Sequence, residues 1–465
     1  MGNKPKLLLA YYGDDFTGST DALEFLSRAG IKTVLFIEPP TPEKLATYEG
    51  LQAIGVAGMT RSLSPDEMER VLEPTFKELK TLGAAHVHYK VCSTFDSSPQ
   101  IGSIGKAIDV GTEIFNAPFV PLLGAAPALG RYCTFGNLFA RMGIGSTGEI
   151  FRLDRHPSMS KHPVTPADES DLRLHLAKQT NKAIGLVDVL DITRGAESAK
   201  AKLQTQIDSG KQVILFDALE ETHLPVIAQL IDAYATNEKP LFSVGSSGIE
   251  MALGAYWKEQ GIAQPKTEWP LPGRAKNLLV VSGSCSPITA KQIDYAANHD
   301  FAEIALDTVA IANSADLKSS VAPYVQLIAE LMQREIPVII HTSLGTDDAR
   351  FAKTYEQFAK QGLTENDIKA KTAQLYGTAL GLIVLGVAEK TALQRVVIAG
   401  GDTSSYVARV MGIEAVEMIA PISTGAPLCK AYAPGAAIDG LEVNFKGGQV
   451  GAESYFVSVL EGRII

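Results

Sequence analysis

The segment Leu7–Tyr12 is continuously apolar and of strand length, and a polar loop and a helix-like stretch follow it. A strand that does not alternate is buried on both faces, as in parallel sheets covered by helices. The rhythm repeats along the chain. Strands are expected at Leu7–Tyr12, Lys32–Ile37, Ala53–Ala57, His86–Val91, Ala183–Asp188 and Gln212–Asp217. Helices are expected at Asp21–Ala29, Pro65–Leu82 and Gly102–Val110. Gln264–Lys276 carries three prolines and a glycine without periodicity, which is linker texture. A second series follows, with strands at Leu278–Ser282, Val338–His341 and Val396–Ala399. The expected fold class is α/β, with two domains that are each a largely parallel sheet flanked by helices. The boundaries expected are 1–264, a linker at 265–276, and 277–465.

Charge limits the partners. With 42 Lys+Arg against 52 Asp+Glu, the formal net charge is −10. No excess of basic residues is present to neutralise a nucleic acid or an anionic membrane, so neither is expected as a partner. The four cysteines form no CxxC pair, which argues against a disulfide framework or a zinc cluster. The opening MGNKPKLLLAYYGDD lacks the longer apolar core of a signal peptide, and a cytoplasmic location is expected. The most apolar stretch, Leu375–Ala388, is shorter than the roughly 20 residues that span a bilayer and reads as a buried helix.

Ligands of parallel α/β sheets bind beyond the carboxyl ends of the strands. The loop Gly13-Asp14-Asp15-Phe16-Thr17-Gly18 follows such a strand. Its carboxylates can accept a proton from a hydroxyl or hold magnesium, and its glycines let backbone approach a ligand. The bland reading is an acidic turn with a helix cap. The loop Lys90-Val91-Cys92-Ser93-Thr94-Phe95-Asp96-Ser97 offers a cation and several hydroxyls, which suits a small polyhydroxy acid. Its bland reading is a serine-rich loop before a helix. In the second half, Ser282–Pro287 carries Ser284 and the expected N-cap Ser286. Gly400-Gly401-Asp402-Thr403-Ser404 follows a strand and opens a helix expected at Tyr406–Met411, and Lys446-Gly447-Gly448-Gln449-Val450-Gly451 is a glycine-rich turn. Free N–H groups and the helix dipole attract phosphate, and such loops together are what a triphosphate site needs. Each alone would read as a capped helix. Neither GxxxxGK[ST] nor GxGxxG occurs in these loops.

GDDFTG at Gly13–Gly18, KVCSTFDSS at Lys90–Ser98, SGSCS at Ser282–Ser286 and GGDTS at Gly400–Ser404 occur in this order. Together they resemble the four-carbon acid sugar kinase family (DUF1537), across nearly the whole chain, and CSTFDS is most like its 3-oxo-tetronate kinases. The chain reads KGGQVG where many members read KSGNFG, and extra length relative to a typical 3-oxo-tetronate kinase is expected around Gly124–Ser160. The resemblance implies phosphorylation of a 3-oxo-tetronate, threonate or erythronate by ATP with Mg2+. It further implies an N-terminal domain for the acid, a C-terminal domain for the nucleotide, and an active site in the cleft between them. On that basis Asp15 or Asp14 orients and deprotonates the acceptor hydroxyl. Thr17, Arg61, Lys90, Ser93, Thr94 and Asp96 line the acid's pocket, with Arg61 the candidate partner of the carboxylate. Ser284, Ser286, Gly400, Gly401, Asp402, Thr403, Ser404 and Gly448 hold the nucleotide. Direct metal ligands are not assigned, and a homo-oligomer is compatible. The competing classes are a non-catalytic ATP or sugar-acid-binding protein, which the Asp14-Asp15 pair argues against, and an NAD-dependent dehydrogenase, which the missing dinucleotide fingerprint argues against.

Overall fold

The computed structural model describes residues 7–142, 148–162, 164–345 and 348–464. The chain divides into two units, Met1–Thr267 and Glu268–Ile465. The first contains β1 (Leu9–Gly13), β2 (Thr33–Phe36), β3 (Ala53–Ala57), β4 (His86–Lys90), β5 (Val120–Leu123), β6 (Arg131–Thr134), β7 (Asn137–Arg141), β8 (Ile150–Arg152), β9 (Ile184–Val187), β10 (Val213–Phe216) and β11 (Leu241–Gly245). Eight of these make one sheet in the order β2-β3-β1-β4-β11-β5-β10-β9, and every pairing is parallel. The strands β1, β3, β4 and β11 are buried along their whole length; β1 and β3 accordingly run apolar without alternating, whereas β4 buries His86, His88 and Lys90. The partly exposed strands β6, β7 and β8 form a separate antiparallel sheet in the β5–β9 connection.

The second unit contains β12 (Leu278–Ser282), β13 (Ala302–Ala305), β14 (Val338–His341), β15 (Arg395–Ala399), β16 (Ala415–Ser423), β17 (Ala426–Tyr432) and β18 (Glu442–Lys446). Their order is β13-β14-β12-β15-β18-β17-β16. The strands β13, β14, β12, β15 and β18 are parallel, while β17 pairs antiparallel with both β18 and β16. Both units are thus helix-flanked and mostly parallel, and the second ends in an antiparallel meander that the sequence reading did not contain.

Two helix starts differ from expectation, and both bear on the site. The first helix spans Phe16–Arg28 rather than beginning at Asp21, because the Asp15 side chain accepts the Gly18 N–H and caps it. The helix expected at Tyr406 begins at Gly401, so Asp402, Thr403 and Ser404 belong to its first turn. The apolar run Leu375–Ala388 lies inside a longer helix, Glu365–Lys390. By length and composition this is the one helix among the described residues that could cross a membrane. It packs against the helices Leu317–Gln333 and Gly401–Val410.

Candidate functional site

In the first unit β1 and β4 are neighbours, yet the chain leaves β1 towards β2 on one side and leaves β4 towards β5 on the other. That divergence opens a crevice at their carboxyl ends. Asp14 and Asp15 follow β1, the turn Thr60–Ser62 follows β3, and the Cys92–Asp96 loop follows β4. Asp14 is fixed by main chain, its N–H donating to the Lys90 carbonyl at 2.9 Å while its own carbonyl accepts the Arg61 N–H at 3.0 Å.

Arg61 clamps both aspartates. Its Nε and Nη2 donate to the two Asp14 carboxylate oxygens at 3.1 and 2.7 Å, and its Nη1 donates to Asp15 at 2.9 Å. All three guanidinium nitrogens therefore donate within the protein, and Nη1 and Nη2 each keep one further N–H. The two carboxyls are not equivalent. Burial raises the Asp14 pKa, the Arg61 charge offsets only part of that, and the adjacent Asp15 charge adds to it. Burial also pushes Asp15 up, but Arg61, Lys90 and the hydrogen bonds from Thr17 and Gly18 outweigh it, and its pKa falls. Asp15 accepts Thr17 Oγ1 at 2.8 Å and the Gly18 N–H at 2.7 Å. Asp15 is thus a saturated helix cap, and Asp14 is the more basic of the pair.

Lys90 is buried, and its Nζ lies 3.3 Å from Asp21. Burial lowers its pKa, but the carboxylates of Asp21 first, then Asp14 and Asp15, raise it above the ordinary value, so it stays charged. A Cβ on Gly18 would come within 3.1 Å of that Nζ, so the missing side chain makes room for the lysine. Thr94 Oγ1 donates to Asp96 at 2.9 Å, and Ser93 Oγ accepts from Arg131 Nε at 3.1 Å. Phe95 between them holds φ at 55°, a left-handed conformation costly for an aromatic residue. Burial pushes the Cys92 thiol up to about 11, so no thiolate forms at neutral pH. Gly245–Gly248 closes β11 in this unit, where Ser247 Oγ donates to Asp21 at 2.8 Å.

The second unit repeats the plan. The chain leaves β12 towards β13 and leaves β15 in the other direction, so the crevice falls between β12 and β15. Ser284 Oγ donates to Thr289 Oγ1 at 3.1 Å and accepts the Ser286 N–H at 3.2 Å, and Ser286 caps the helix Pro287–Ala297. Thr289 Oγ1 donates in turn to the Gly448 carbonyl at 3.0 Å. A Cβ on Gly448 would sit 2.9 Å from Ser284 Oγ. Gly400 holds φ at 124°, and its carbonyl accepts from Ser404 Oγ at 2.7 Å. Ser284, Ser286, Gly400, Thr403 and Gly448 are therefore one cluster of hydroxyls and close-approach glycines around the helix starts.

At its base lies Lys446, fully buried at the end of β18. Its Nζ donates to Thr289 Oγ1 at 3.2 Å and to the Gly447 carbonyl at 2.9 Å. No carboxylate among the described residues pairs with it, and burial brings its pKa down to about 7. Among the described residues no group of three or more His, Cys, Asp or Glu is placed to hold a metal.

A sugar-binding N-terminal domain family matches residues 9–253, and a nucleotide-binding C-terminal domain family matches residues 279–456. The chain belongs to the four-carbon acid sugar kinase (DUF1537) family. It is 41% identical over 459 residues to a 3-oxo-isoapionate kinase of Paraburkholderia graminis, covering 98% of this chain and 95% of that one. It is 28% identical over 453 residues to a 3-oxo-tetronate kinase of Salmonella typhimurium, covering 97% and 98%. A solved protein of Salmonella typhimurium LT2 superposes with a TM-score of 0.76 at 25% identity, over 97% of this chain and 98% of that one.

Within this DUF1537 chain the expected residues Asp14, Asp15, Thr17, Arg61, Lys90, Ser93, Thr94 and Asp96 share one end of the first sheet. Two basic residues of the clusters were not singled out in the sequence. Lys446 closes the buried strand β18 ahead of two glycines, a signal that was present. Arg131 opens the β6–β7 hairpin, and nothing local marks it.

Proposed function

We propose that the chain is an ATP-dependent kinase that phosphorylates a hydroxyl of a short sugar acid. The identity of 41% to a 3-oxo-isoapionate kinase, against 28% to a 3-oxo-tetronate kinase, supports placing the 3-oxo-isoapionate type first. The 3-oxo-tetronate, threonate and erythronate types follow. The observation that carries the reading is the buried Lys446, without a counter-ion among the described residues, beneath hydroxyls and helix starts. It is an anion site built for phosphate.

Phosphoryl transfer needs positioning and charge stabilisation rather than covalent chemistry from the protein. In this reading Asp14 takes the proton of the acceptor hydroxyl, since its raised pKa makes it the stronger base. Arg61 is a positioning residue that fixes the Asp14 carboxylate by two hydrogen bonds. Asp15 and Thr17 anchor the helix start behind it. Lys90, Ser93, Thr94 and Asp96 bind the oxygens of the acid. In the second unit Ser284, Ser286, the Gly400–Ser404 turn and Gly448 receive the phosphates, and Lys446 neutralises them. Mg2+ arriving with the nucleotide would supply positive charge to offset that of the phosphates. The absence of a three-residue metal cluster among the described residues suits an ion held chiefly by phosphate and water.

The test is ADP release with Mg-ATP against 3-oxo-isoapionate, 3-oxo-tetronates, threonates and erythronates, with a no-acid control. Acid-dependent turnover supports the reading and ranks the acids. No turnover with any of them, while ATP binds by calorimetry, overturns it in favour of a binding protein.

A further inference from the structure

Three basic side chains gather at the carboxyl end of the first sheet, and they differ in what they already hold. Arg61 already has two carboxylates, Asp14 and Asp15, as counter-ions. Lys90 is paired with Asp21. Arg131 has only neutral acceptors. Its Nε donates to Ser93 Oγ at 3.1 Å, and its Nη1 donates to the carbonyls of Leu129 at 2.7 Å and Arg141 at 3.4 Å. No carboxylate among the described residues lies within ion-pair distance, although the side chain is only 6% exposed. Asp21 and Asp96 act on it from farther across the site.

Resting on the kinase reading above, we infer that Arg131, not Arg61, receives the carboxylate of the acid substrate, with the Ser93 hydroxyl as second donor. A buried guanidinium without an anion is costly to keep, and the two N–H donors of Nη2 together with the Ser93 hydroxyl are what it can offer a carboxylate. The held nitrogens Nε and Nη1 fix the plane, and Nη2 has no hydrogen bond among the described residues. Ser93 accepts from Nε and so keeps its own proton to donate. Burial pulls the Arg131 pKa down, and the nearby His156 is shifted down by burial and by the Arg131 charge. Both shifts describe positive potential left unbalanced in the protein alone. Arg131 is carried by the β6–β7 hairpin, whereas Asp14 is carried by β1. The span between carboxylate and reacting hydroxyl would then be set by two separate elements, and the hairpin would act as the gauge of acid length.

The structural alternative is that Arg131 merely pins the hairpin through the Leu129 and Arg141 carbonyls. A comparison of the acid with its neutral primary amide separates the two. For Arg131→Gln we expect kcat/KM for the acid to fall on the order of 30-fold or more, with the preference for acid over amide collapsing towards unity. ATP affinity should be unchanged. Arg61→Gln should slow acid and amide alike and keep the preference. Arg131→Gln with the wild-type preference overturns the assignment, as does loss of the preference in Arg61→Gln alone. If Arg131→Gln fails to fold, Arg131→Lys keeps the charge but loses the Nη2 donors held in place by Nε and Nη1, and it should show an intermediate preference. If wild-type protein turns over no acid, the kinase reading has failed. Calorimetric binding of acid and amide to wild type and variant then decides the role of Arg131 separately.

Discussion

Lys446 Nζ donates to the Thr289 hydroxyl at 3.2 Å, so the buried amine is held by a neutral partner. This pairing makes its charge conditional on what binds. Below about pH 7 the free protein carries the ammonium, and above it the amine is neutral. A bound phosphate favours the charged form, so binding above neutrality must take up a proton. We expect ADP affinity to fall as pH rises from about 7 to 9, by up to tenfold per unit. The dependence should vanish in Lys446→Ala, which binds weakly throughout, and flatten in Lys446→Arg. Calorimetry in buffers of different ionisation enthalpy reads the proton uptake directly.

Asp14 and Asp15 should separate on substitution. Asp14→Asn removes the base and should lower kcat by roughly 10²- to 10⁴-fold with little change in melting temperature. Asp15→Asn keeps a competent cap and should cost less turnover, whereas Asp15→Ala should cost about 1 kcal/mol of stability. Steady-state kinetics beside thermal unfolding distinguishes these patterns, and equal turnover in Asp14→Asn and wild type would falsify the base assignment.

Gly448→Ala should damage the nucleotide site selectively. The new Cβ would press on Ser284 Oγ at 2.9 Å and on Ser286 Cβ at 3.1 Å. The expected result is a raised KM for ATP, on the order of tenfold, with KM for the acid unchanged. An equal rise in both would mean the turn supports more than the phosphates.

Glu250 tests the interior behind Lys90. Burial lifts its pKa to about 8, neither carboxyl oxygen has a hydrogen-bond partner, and the adjacent His88 is held neutral by burial with a pKa of about 3. From pH 4.5 to 8 the unfolded chain has lost a proton that the folded chain keeps, so this group's contribution to stability falls as pH rises. Glu250→Gln should remove that slope, about 1.4 kcal/mol per pH unit in the limit, and gain stability at neutral pH. Urea unfolding of both proteins across this range measures the difference.

The strands β3, β12 and β14 have the bounds that their apolar runs predict, because burial on both faces leaves no choice of residue. Helix starts were less legible. The hydroxyls of Thr17 and Thr403 resemble loop chemistry, and only the Asp15 cap and the glycine at position 400 reveal that helix has already begun. The candidate site was legible at or just beyond the end of a strand, as with Lys90, Asp14 and Ser284. It was not legible for Arg131, whose relation to Ser93 spans 38 positions and depends on how the short β6–β7 hairpin folds back. Nor could sequence show that Arg61 would be claimed by the two aspartates, since that follows from the adjacency of β1 and β3.

The position of β11 has a consequence for how the first unit comes into being. Leu241–Gly245 pairs with β4 on one side and β5 on the other, and within this unit's sheet nothing else joins β2-β3-β1-β4 to β5-β10-β9. During synthesis the two halves therefore wait, with facing edges unpaired, until the last strand of the unit has left the ribosome. A nascent chain stopped short of residue 241 would hold Asp14 and Lys90 on a half-sheet open to aggregation, so the unit's assembly hinges on its final strand rather than on the motifs that begin it.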